Sequence, residues 1–260
     1  MPLSLFTEAE QFSSPYMGQE NYLRFRALWA LIFTVHLVWD LLESCWLGGS
    51  EVLGHYYLFY FTNWSFLLQC MGQVIEFLVT FRVARGQVPS GCMARISMLF
   101  FAVAQPISFL VTLGYWILFG PEIVSGETTF TYMNLFKHGL NTLLLLISFM
   151  ISRMPYTFRH MGWLVVASLL YFTWTFLHFL LRLGNHGKAC EADDPEDCPI
   201  YPQFDWKKPD RTIILAAVGF VILPIIALLY IFLGFLQHRC ASKPPVSYKG
   251  ERRSSKVKEE

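Results

Sequence analysis

Charge is scarce in this chain. Only 15% of its 260 residues are Asp, Glu, Lys or Arg, against roughly 25% in an ordinary soluble domain. The formal net charge of +1 excludes nothing by itself; the distribution of the charges carries the information. None of the six cysteines stands at a spacing to His or Cys that suggests a structural zinc site, and neither a metal, a cofactor nor a nucleic-acid partner is expected. The short alternating segments of a membrane β-barrel are absent. So are an internal repeat, a matched pair of Gly/Pro-broken helices and a ring of charge, which argues against a transporter or a channel. No Lys/Arg-flanked signal region opens the chain: Met1 to Glu20 is polar and mildly acidic, and the first apolar span is expected to act as the signal anchor.

Apolar residues are what the chain has in excess. They make up 54% of it, and aromatics reach 17%, with 24 Phe and 8 Trp. About 20 mostly apolar residues are needed to cross a bilayer core as a helix. Six stretches qualify: Ala27–Leu47, Tyr57–Thr80, Ile96–Phe119, Asn134–Ile151, Met161–Leu181 and Ile213–Leu236. Without water every backbone polar group must be paired internally, so these stretches are helices. The expected fold is all-α, a polytopic membrane bundle of about six transmembrane helices.

Orientation follows from Lys and Arg in the short flanks. With a cytosolic N-terminus, 14 of the 20 basic residues lie inside, among them Arg24, Arg26, Arg82, Arg85, Arg95, Arg153, Arg159 and seven from Arg239 to Lys258. Eleven of the 19 acidic residues then lie outside, including those of the run Glu191 to Asp197. Both termini are therefore expected in the cytosol, with 1–26 as an N-terminal segment, 27–236 as the membrane domain, 184–210 as a lumenal or extracellular loop and 237–260 as a disordered tail. That loop holds Cys190 and Cys198 in a compartment that permits disulfides, and the two are expected to pair. The tail ends Lys256-Val-Lys258-Glu-Glu260. It resembles a dilysine retrieval signal read by coat proteins, which favours the endoplasmic reticulum over the plasma membrane; an ordinary solvated basic tail is the alternative. The sequon at Asn63 falls inside an apolar span, so no glycan is expected there.

Polar residues inside the spans carry the remaining information, because each ionisable group at a helix centre costs about 2.5–3.5 kcal/mol. In the second span Thr62, Ser65, Gln69, Gln73, Glu76 and Thr80 recur every three or four residues and form one stripe on one face. Shorter sets are His36, Asp40 and Glu43; Gln105, Ser108 and Thr112, beside a Pro106 expected to kink its helix; Lys137, His138, Asn141 and Thr142; and Thr175, His178 and Arg182. Hydroxyls and amides at such positions commonly tie helices together. The concentration of Asp40, Glu43, Glu76, His36, His138 and His178 in one bundle suggests a polar site as well. By helical rise Thr62 and His138 fall at similar depth, with Asp40 and Glu43 approaching the same level. Were these helices neighbours, a hydroxyl, an imidazole and a carboxylate could converge, with His as the base that activates a Thr nucleophile.

The runs Tyr60-Phe-Thr-Asn-Trp-Ser-Phe-Leu-Leu-Gln69, Lys137-His-Gly-Leu-Asn-Thr142 and Ile200-Tyr-Pro-Gln-Phe-Asp-Trp206 resemble the rolling stone family of multi-pass proteins. More distantly the chain is similar to the androgen-induced group of six-span hydrolases, which cleave fatty acid esters of hydroxy fatty acids with an intramembrane Thr and His. The second resemblance implies Thr62 as nucleophile and His138 as its partner; the polar residues of the spans place Asp40, Glu43, Ser65, Gln69, Asn141 and His178 in an expected supporting pocket. The sequence departs from that pattern at Asn141, where those hydrolases tend to carry a second His. The first resemblance implies the rival function, a non-enzymatic membrane protein supporting cell fusion, adhesion or complex assembly. The expected partners are the lipid bilayer, a lipid ester substrate and the coat-protein retrieval machinery.

Overall fold

In a computed structural model the described residues are 10–44, 54–118, 120–125, 131–185, 196 and 198–240. Six helices among them are long and apolar enough to cross a membrane: α1 Gln19–Leu42, α2 Phe61–Ala84, α3 Gly91–Leu118, α4 Tyr132–Ile151, α5 Phe158–Leu180 and α6 Pro209–Cys240. No strand occurs among the described residues. Lys256, Lys258 and Cys190 lie outside the described residues.

Local chemistry sets the helix ends. Tyr60 is extended (φ −86°, ψ 132°) and releases the chain into α2. At the other end Gly86 takes φ +71°, the left-handed geometry that glycine adopts without a Cβ penalty, and the Gln87 N–H folds back onto the Arg82 carbonyl at 3.0 Å. α5 starts behind Thr157, whose N–H donates to His160 Nδ1 at 3.0 Å. α6 opens on Pro209 with Asp210 in its first turn, as the missing N–H of Pro and the helix dipole favour.

The sequence spans and the helices differ at their N-terminal ends. α1 begins at Gln19, eight residues before the apolar stretch, because its first turns pack inside the bundle. Tyr22 and Arg26 are both buried there. Helix α3 runs through Pro106. A proline leaves the carbonyl four residues earlier without its helical partner; that carbonyl, Ala102 O, accepts the Tyr156 hydroxyl at 3.1 Å.

The α2 stripe faces inward as its spacing requires. Ser65, Gln69, Gln73, Glu76 and Thr80 are all buried, and Thr62 is partly so. α2 packs closely on α1 and α3, and at Gly72 a Cβ would stand 3.3 Å from Phe100 Cβ. Small residues at such crossings let membrane helices approach. Two apolar clusters fill the remaining space: Phe33, Phe66 and Phe136 between α1, α2 and α4, and Phe101, Phe149 and Tyr230 between α3, α4 and α6. Rows of Leu, Ile, Val and Phe on α1, α5 and α6 face outward, where the bilayer is the natural solvent.

Candidate functional site

α4 is not a uniform α-helix. Residues Phe136–Leu140 form a π turn in which His138 leaves helical geometry (φ −114°, ψ 15°). Such insertions recur at functional sites because they re-aim a side chain at the expense of one backbone bond. The His138 carbonyl accepts Trp116 Nε1 at 2.7 Å. Its ring lies flat on Tyr115, with centroids 3.6 Å apart and planes 2° from parallel. His138 Nδ1 is buried and has no hydrogen-bond partner among the described residues.

His138 and Thr62 line one cavity of about 370 Å³, within the range of roughly 300–1,000 Å³ typical of small-molecule sites. Apart from these two residues the walls are mainly apolar and come from α3, α5, α6 and the segment Tyr201–Phe204. Leu113 and Ile117 of α3 and Val218 of α6 line the cavity and are also exposed, so it opens sideways at the α3/α6 edge, toward lipid. Across the mouth, Gly114 and Gly219 leave open space where a Cβ would stand.

Thr62 is the second residue of α2. Tyr201 sits over it: the phenol oxygen accepts the Phe61 N–H at 3.1 Å. Burial pushes the Tyr201 pKa up to about 12, opposed by hydrogen bonds from the Thr62 side chain and backbone. The phenol therefore keeps its proton at neutral pH. No hydrogen bond joins Thr62 to His138 among the described residues.

The other residues of the expected pocket lie elsewhere. Asp40 is buried and holds Lys137 at 2.8 and 2.9 Å. It also accepts the Tyr57 hydroxyl at 2.5 Å, and Lys137 reaches Asn63 Oδ1 at 2.7 Å. In this cluster Asn63 Nδ2 donates to the Tyr57 carbonyl at 2.7 Å. Glu43 is exposed at the end of α1. Ser65, Gln69 and Asn141 form a hydrogen-bonded chain linking α2 to α4, with Asn141 Nδ2 donating to Gln69 Oε1 at 2.9 Å and Gln69 Nε2 to Ser65 Oγ at 2.8 Å. His178 contacts the Gly184 carbonyl at 2.9 Å; it faces a separate space of about 10 Å³ beside Cys198.

A second ion pair lies deeper along the stripe. Arg26 and Glu76 meet at 2.5 Å, each side chain about 1% exposed. Arg26 also donates to the Tyr22 hydroxyl at 2.7 and 2.8 Å and to Ser148 Oγ. Sequence reading counts Arg26 as a flanking cytosolic charge; one helical face shared by Tyr22 and Arg26 was the signal of its burial. For Tyr115 and Tyr201, which belong to the cavity, no spacing rule points to them.

Six apolar crossings, one buried and one partly buried ion pair, and a cavity opening on the apolar outer face define a multi-pass α-helical membrane protein. Among characterised proteins the chain is similar to Protein rolling stone of Drosophila melanogaster, at 23% identity over 211 residues, covering 74% of this chain and 69% of that one. No family model matches the chain, and no solved structure does.

Proposed function

We propose that this membrane protein hydrolyses lipid esters within the bilayer, with Thr62 as nucleophile and His138 as general base. The observation that supports the reading is that a hydroxyl and an imidazole from different helices line one apolar cavity open toward lipid. Such a cavity suits an ester flanked by hydrocarbon chains, which reaches it sideways without entering water. In the reaction Thr62 Oγ1 adds to the ester carbonyl carbon as His138 takes its proton. The tetrahedral intermediate collapses, the carbon–oxygen bond to the alcohol breaks, and His138 returns the proton to the departing oxygen. A water molecule, deprotonated by His138, then adds to the acyl–Thr62 ester; the bond from the acyl carbon to Thr62 Oγ1 breaks, His138 returns the proton to Oγ1 and the acid leaves. Catalytic hydrogen bonds are often unmade without substrate and tighten when it is seated, so the Thr62-to-His138 bond belongs to the loaded state.

The test compares wild type, Thr62→Ala and His138→Ala, reconstituted and verified as folded, with a fluorophosphonate probe and long-chain esters of hydroxy fatty acids. Wild type should label and turn over while both variants fall to background. Equal labelling and turnover in all three would remove the enzymatic reading and leave the non-enzymatic one, in which the buried polar stripe only holds the bundle together. Two further features belong to the same proposal. Cys198, 96% shielded from solvent, pairs with Cys190 on the lumenal side, and non-reducing peptide mapping should recover the linked peptides. The tail at Lys256 and Lys258 retains the protein in the endoplasmic reticulum through coat-protein retrieval; replacing both with Ser should release it to the cell surface.

A further inference from the structure

We infer that Tyr201 is the oxyanion donor of this site, supplied by the loop between α5 and α6. The inference rests on the hydrolase reading and adds a third residue to it. A phenol has one proton to give and lone pairs to accept with. The Phe61 N–H occupies an acceptor position at 3.1 Å, which fixes the oxygen at the N-terminal end of α2, one residue from the nucleophile. The phenol also pairs with the hydroxyls of Thr62 and Tyr171. Tyr171 gives its own proton to the Phe59 carbonyl at 2.8 Å, so the Tyr201 proton rests on Tyr171 and turns to the carbonyl oxygen of an ester seated in the cavity that Tyr201 shares with Thr62 and His138.

The loop holds this position firmly. Tyr201 packs edge-on against Tyr60, with centroids 5.6 Å apart. Pro202–Phe204 forms a short 3-10 turn behind it. Trp206 Nε1 donates to Thr175 Oγ1 at 3.2 Å, and Thr212 Oγ1 donates to the Asp205 carbonyl at 2.9 Å. With its oxygen fixed before the reaction starts, the donor needs only a turn of its hydroxyl as negative charge develops on the carbonyl oxygen, and preplaced donors gain most there. The α2 N-terminus adds its own positive end to the same place.

The experiment uses the full chain in lipid nanodiscs, with wild type, Tyr201→Phe and Thr62→Ala assayed for kcat and KM on a long-chain ester and for the rate of fluorophosphonate labelling. Tyr201→Phe keeps the ring and should lower kcat by about 10²-fold, the usual effect of losing one oxyanion donor, with KM unchanged. If Tyr201→Phe fails to fold, Phe61→Pro serves instead. Proline is tolerated at the first helical position and the preceding residue is already extended, so the N–H that anchors the phenol is removed. Phe61→Leu, which keeps that N–H but also loses the ring lining the cavity, is the control, and Phe61→Pro should lower kcat well below it, equal values overturning the role of Tyr201. An active wild type matched in kcat by Tyr201→Phe overturns the role of Tyr201 and leaves the hydrolase reading standing. A rise in kcat also overturns it, making Tyr201 a plug rather than a donor. A wild type no more active than Thr62→Ala overturns both.

Discussion

Breaking the Arg26–Glu76 pair should destabilise the bundle far more than removing it whole. Each charge is about 1% exposed and the two stand 2.5 Å apart, with Tyr22 and Ser148 completing the guanidinium's contacts. Removing one partner from such a pair leaves an uncompensated buried charge and costs about 3–5 kcal/mol. Glu76→Gln and Arg26→Met should each lower the folding equilibrium constant by about 10²–10⁴-fold, at tenfold per 1.4 kcal/mol. In the double variant Arg26→Met with Glu76→Met, apolar side chains fill the same volume with no charge to desolvate, and stability should return to within about 1–2 kcal/mol of wild type. Unfolding in mixed SDS micelles, followed by tryptophan fluorescence, reads all four proteins. Single variants within about 1 kcal/mol of wild type, or a double variant as poor as the sum of the singles, would refute the reasoning.

Three other outcomes follow from the geometry. Gly114→Leu and Gly219→Leu meet open space at the Cβ and project into the cavity mouth; they should preserve folding yet abolish crosslinking by a photoactivatable fatty acyl probe that labels wild type. Gly72→Leu forces bulk against Phe100, already 3.3 Å from a Cβ at that position, and should cost about 1–3 kcal/mol by the same micelle assay. Lys137→Met strands Asp40, whose carboxylate it holds at 2.8 Å, and should destabilise by about 3–5 kcal/mol, whereas Glu43→Gln on the exposed end of α1 should stay within about 0.5 kcal/mol of wild type.

The fold was legible because bilayer thickness turns length and hydropathy into helices; each of the six stretches overlaps one of the six long apolar helices. The buried face of α2 was legible for the same kind of reason, since polar residues three and four apart must share a side. Partnership between helices was not. Asp40 reads as a member of the pocket with Thr62 and His138, but its carboxylate is taken by Lys137, and the choice depends on rotation of α4 through the π turn at His138. Periodicity assumes 3.6 residues per turn and carries no sign of such an insertion. The helix boundary at Gln19 was missed because interior contacts, not hydropathy, bury Tyr22 and Arg26. Tyr201 comes from a connecting loop, and loops have no periodicity to read.

The stripe on α2 also dictates an order of assembly. Glu76 finds Arg26 on the helix synthesised just before it. Gln69 must wait for Asn141, 72 residues later in the chain, and Asp40 for Lys137, 97 residues later. During synthesis the first two helices therefore hold a carboxylate with only the Tyr57 hydroxyl to donate to it and an amide whose partner across the bundle does not yet exist. Leaving these groups in hydrocarbon is costly, so the first two helices reach their final packing only once the fourth has joined them.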